Sequence, residues 1–78
     1  MSRNPPRYPL DHEPKAVTYA RTQAGLTMTA LAAACGVSLS LISEIETGTR
    51  NATPATIGKV AKALNCPRVV LERIRDRP

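Results

Sequence analysis

The 78-residue sequence predicts a single all-α domain built from five short helices. Three observations carry that expectation. Apolar residues recur at helical spacing in successive short segments; each segment opens on a proline or hydroxyl residue, and the first four close on a glycine or asparagine. No stretch alternates apolar and polar residues with the period of a strand. The chain is 42% hydrophobic but has only two aromatic residues, Tyr8 and Tyr19, so its core must be assembled from Ala, Val, Leu and Ile, which suits closely packed short helices.

Residues 1–13 include Pro5, Pro6 and Pro9 and little apolar matter, and they read as a flexible arm. The first helix is expected over 14–24. Pro14 suits its first position, where a missing N–H costs nothing, and Val17, Ala20, Arg21 and Ala24 share a face ahead of Gly25. Thr27 can cap a second helix over 28–35, with Leu31, Ala32 and Cys35 as its buried stripe and Gly36 at its end. Ser38 caps a third helix that runs to about 47. There Ile42, Ile45 and Glu46 share one face, and Ser40, Ser43, Glu44 and Thr47 share the opposite one. After a loop at 49–52, Thr53 and Pro54 open a fourth helix with core residues Ile57, Val60, Ala61 and Leu64, stopped by Asn65. Pro67 opens a short fifth helix carrying Val70, Leu71 and Ile74. The domain is thus expected over 14–75, with 76–78 a charged tail.

No apolar run approaches the length of a bilayer span, and no signal-peptide stretch is visible at the N-terminus, so a soluble cytoplasmic protein without membrane contact is expected. Cys35 and Cys66 form no CxxC pair and His12 is the single histidine, too few ligands for a structural zinc. Both cysteines read as small buried hydrophobes in a reducing compartment, and no cofactor is implied. The net charge of +5 permits a nucleic-acid partner without requiring one.

Two short helices joined by Gly36, Val37 and Ser38 have the arrangement of a helix-turn-helix, whose second helix fits a DNA major groove. The residues Gly25-Leu26-Thr27, Leu31-Ala32, Gly36-Val37-Ser38, Ile42-Ser43, Ile45-Glu46 and Gly48 resemble the XRE/Cro/phage-repressor family. Arg50-Asn51, Thr56-Ile57, Lys59-Val60-Ala61 and Ala63-Leu64 extend the likeness, which covers about residues 15–74. The resemblance implies a lambda-repressor-like five-helix fold and a sequence-specific regulator, a repressor bound as a homodimer to double-stranded DNA at an operator. It implies base-reading positions at Leu39, Ser40, Ser43 and Glu44, and DNA-backbone positions at Thr27, Met28, Thr29, Thr47, Arg50 and Asn51. It also implies a structural ion pair between Arg21 and Glu46.

The chemistry of several positions agrees. Free amides and hydroxyls at Thr27 and Thr29 can hold a phosphate, Ser40 and Ser43 can bond base edges, and Arg50 can pair with a phosphate. Met28 stands where the family often has Gln, Leu39 where polar readers are common, and Glu44 places an acid on the DNA-facing side. Residues 26–49 contain no Lys or Arg and two acids, whereas residues 50–78 contain seven basic and two acidic residues, so positive charge flanks the motif.

Arg3 and Arg7 can enter a minor groove or belong to a solvated tail. Leu41 lies on the flank of the third helix and is read as packing, and His12 as an ordinary exposed side chain. Val69, Val70 and Ile74 are open to either a core or a dimer surface. No catalytic constellation is visible, so an enzyme is not expected. The rival reading is a protein-interaction module on the same fold, antitoxin-like or an adaptor, prompted by the acidic, leucine-bearing third helix.

Overall fold

Hydroxyl caps and left-handed stops set the helix boundaries in the computed structural model, which describes residues 10–72. The elements are α1 (Pro14–Gln23), α2 (Met28–Cys35), α3 (Leu39–Thr47), α4 (Pro54–Leu64) and α5 (Arg68–Leu71). Thr27, Ser38 and Thr53 each accept the amide three residues on, at 3.0, 3.0 and 3.2 Å. Caps of this kind contribute about 1 kcal/mol each. At the far ends Gly25, Gly36, Gly48 and Asn65 all take positive φ. The residue after each then donates its amide five residues back, as Thr49 N–H does to the Glu44 carbonyl at 3.0 Å. Gly48 is the position where this conformation is most constrained. Its φ is +84°, and a Cβ there would meet Pro14 Cγ at 3.3 Å.

The apolar faces of α1 to α5 close on one core, with Leu31, Ile42, Ile45 and Leu71 at its centre. All four core residues expected on α4 are buried. Leu41, Met28 and Leu26 pack against the rim of the core, and Tyr19 and Ala24 face solvent.

The expected arm extends too far, because its last residues belong to the packed body. Leu10 is buried, and His12 is fully buried rather than exposed. The His12 ring donates from Nε2 to the Ile45 carbonyl at 2.8 Å, and its Nδ1 accepts the Ala52 amide at 3.2 Å. The ring is therefore the neutral tautomer protonated on Nε2. His12 also forms an antiparallel bridge with Glu72, and the Glu13 amide donates to the Leu71 carbonyl at 2.9 Å. Residues 10–13 are thus an extended strap that ties the end of α3, the α3–α4 loop and the end of α5 together.

The fifth helix is shorter than expected. It stops at Leu71 because Glu72 adopts an extended backbone and joins the strap. Val69 and Val70 are exposed, which removes them from the core and leaves Leu71 as its contribution from α5. Ile74, the arm residues Arg3 and Arg7, and the tail at 76–78 lie outside the described residues.

Candidate nucleic-acid interface

The α2–α3 unit is built for presentation of α3. Gly36 reverses the chain, Val37 packs against the core, and Ser38 starts the next helix, so the two helices meet with a bend of 115°. That angle lies in the range of helix-turn-helix pairs. Ile42 and Ile45 bury the inner face of α3, and Leu39, Ser40 and Thr47 are left exposed on the outer face with Ser43 and Glu44 half-buried beside them.

An ion pair holds this orientation. Arg21 Nε donates to Glu46 Oε2 at 2.7 Å and Nη2 to Oε1 at 3.1 Å, with side-chain exposures of 14% and 6%. Arg21 Nη1 also donates to the Leu26 carbonyl at 2.8 Å, and Thr18 donates its hydroxyl to Glu46 Oε1 at 2.9 Å. The pair expected from the resemblance therefore forms, and it clamps α1, the α1–α2 turn and α3 in one network. Thr18 was not singled out in the sequence. Its position one turn before Arg21 on α1 is the signal that could have found it.

The positions read as backbone contacts divide into two groups. Thr27, Thr29 and Thr47 are exposed. The Thr27 hydroxyl accepts from Ala30 as a cap, which leaves the amides of Met28 and Thr29 without an intrahelical acceptor and facing outward at the helix start. The Met28 side chain packs against the core, so its contribution to an interface reduces to that amide.

Arg50 and Asn51 are engaged within the protein. Arg50 Nε donates to Glu44 Oε1 at 2.6 Å. Asn51 accepts the Asp11 amide on Oδ1 at 2.6 Å and donates from Nδ2 to Asp11 Oδ2 at 2.9 Å. Asn51 thus fastens the strap to the α3–α4 loop. No spacing along the chain signals either contact.

Cys35 is buried and Cys66 half-buried, and neither is in a disulfide. Burial pushes both thiols above their ordinary value, opposed in part at Cys35 by the charge of Lys59. Among the described residues no three metal-ligating side chains cluster, and no single helix is long and apolar enough to cross a membrane.

A helix-turn-helix with a rigidly oriented, solvent-facing second helix defines the class: a DNA-binding domain. The helix-turn-helix family model matches residues 17–71. The restriction-modification controller protein C.AhdI from Aeromonas hydrophila superposes with a TM-score of 0.71 at 30% identity, covering 73% of this chain and 86% of that one. The clp gene regulator ClgR from Corynebacterium glutamicum superposes with a TM-score of 0.69 at 28% identity, covering 72% and 73% of the two chains. The chain matches no curated protein. It belongs to the XRE-type helix-turn-helix family and is a DNA-binding transcription regulator.

Proposed function

We propose that the protein is a repressor that occupies an operator as a two-fold pair, with α3 lying in the major groove. The observation that carries this reading is the outward face of α3, held in place by the Arg21–Glu46 clamp while its inner face is sunk in the core. Ser40 and Ser43 offer hydroxyls to base edges, Leu39 offers an apolar contact for a thymine methyl, and Glu44 accepts from a base amino group. The outward amides of Met28 and Thr29, with the hydroxyl of Thr29, fit a phosphate contact that sets the register, while the Thr47 hydroxyl is spent on the Glu44 carbonyl. Val69 and Val70, exposed on α5, supply apolar surface for a second copy.

The protein acts as a regulator in the cytoplasm and not as an enzyme. His12, the single histidine of the chain, is buried with both ring nitrogens bonded, so it has no nitrogen with which to move a substrate proton. A protein partner is the second reading. It is favoured by the exposed Leu39 on a helix-turn-helix segment that has no Lys or Arg over residues 26–49.

A gel shift on the DNA upstream of the protein's own gene, at two salt concentrations, separates the readings. Sequence-specific binding that weakens with salt supports operator occupancy. Absence of binding, with a protein co-purifying in its place, supports the second reading.

A further inference from the structure

On the operator-binding reading, we propose that Glu44 and Arg50 work as one unit that selects a cytosine in the operator. Glu44 accepts from the base amino group, and Arg50 is the positioning residue that aims the carboxylate.

The geometry starts in the backbone. After α3 the chain reverses at Gly48, and four groups converge on the Glu44 carbonyl: the Gly48 and Thr49 amides, each at 3.0 Å, the Thr47 hydroxyl at 3.2 Å and the Thr49 hydroxyl at 3.4 Å. The two hydroxyls also meet each other at 3.2 Å. This reversal carries the next residue, Arg50, back beside the Glu44 side chain, where its Nε takes Oε1 at 2.6 Å. Among the described residues Oε2 has no partner, and 43% of the Glu44 side chain remains exposed. One carboxylate oxygen is anchored and the other is presented.

Charge explains why the anchor matters. Residues 26–49 hold two acids and no base. Glu46 is neutralised inside the fold by Arg21, which leaves Glu44 as the acid that would meet phosphates. Arg50 cancels that charge where it stands. An ionised carboxylate only accepts hydrogen bonds, so guanine O6 and thymine O4, both acceptors, are refused. Adenine N6 can donate, but its neighbouring N7 is an acceptor that repels the carboxylate. Cytosine N4 donates beside a C–H edge and fits best. An exposed ion pair contributes little to stability, so the effect of Arg50 should show in base choice and not in melting.

The test is selection from a pool of random-sequence duplexes with the full chain, comparing wild type, Glu44→Gln, Arg50→Met and Arg50→Lys, with a melting curve for each. Wild type should prefer cytosine on the order of tenfold at one position. Glu44→Gln and Arg50→Met should lose that preference at the same position, Arg50→Lys should regain part of it, and all four should melt within about 8 °C of one another. If Arg50→Met weakens every sequence alike and keeps the cytosine, Arg50 is a phosphate contact and the inference falls. It falls equally if wild type selects a sequence with no position that responds to Glu44. A wild-type chain that selects nothing contradicts operator binding itself and takes this inference with it.

Discussion

Replacing Glu46 by alanine removes the acceptor of three hydrogen bonds, two from Arg21 and one from Thr18. The guanidinium left behind is 14% exposed and keeps one protein partner, the Leu26 carbonyl. A buried charge stripped of its counter-ion costs on the order of 3 kcal/mol. A chain of this size has a total stability of about 4–12 kcal/mol. In so small a domain each kcal/mol moves the midpoint by roughly 4–8 °C, so Glu46→Ala should lower Tm by about 12–24 °C or leave the chain unfolded. Glu44→Ala is the internal control, because its partner Arg50 is exposed and the loss should stay below about 1 kcal/mol. Arg21→Met combined with Glu46→Leu removes both charges and should recover much of the lost stability. Thermal and urea melts followed by circular dichroism provide the comparison. Equal, small losses for Glu46→Ala and Glu44→Ala would refute the argument, since they would mean that the Arg21–Glu46 pair is not a buried clamp.

Other consequences follow from the strap, the turns and the thiols. His12→Ala leaves the Ile45 carbonyl and the Ala52 amide without their partner and should cost about 2–5 kcal/mol in urea melts, so deleting residues 1–12 should destabilise the protein far more than deleting 1–9. The shorter deletion removes Arg3 and Arg7, and if they contact DNA phosphates the salt slope of binding should flatten by about 2. Gly48→Ala forces a Cβ into a left-handed conformation and against Pro14, and should cost at least about 1 kcal/mol, read as a shift of the urea midpoint. Both thiols have raised pKa values, so at pH 8 the thiolate fraction is below that of a free cysteine, and alkylation of the folded protein should be slower than in urea.

The helices were legible because their signals are local. A hydroxyl, a proline, a glycine or an asparagine marks every end except the last turn of α5, and a period of about 3.6 marks the buried face. The Arg21–Glu46 pair was legible through the family resemblance and through Glu46 sharing a face with Ile42 and Ile45. What escaped was extended or non-local. The strap has no periodicity to read, and its bonds from His12 and Asp11 to Ala52 and Asn51 span 40 residues. Prolines suggest a loose segment, but burial of Leu10 and full bonding of the His12 ring hold residues 10–13 in place. The Glu44–Arg50 contact depends on the reversal at Gly48, which brings together two side chains that linear spacing alone does not pair. The residues proposed to read DNA were named from the resemblance, and the fold leaves Leu39 and Ser40 exposed while Met28 turns inward.

The claim that α3 is the surface that meets DNA is tested most directly by NMR titration of the isotope-labelled full chain with a duplex carrying its selected site. The largest amide shifts should fall on Leu39 to Thr47, on Met28 and Thr29, and on Arg50, with α4 little changed. Shifts concentrated on α4 and α5 with α3 silent would contradict it.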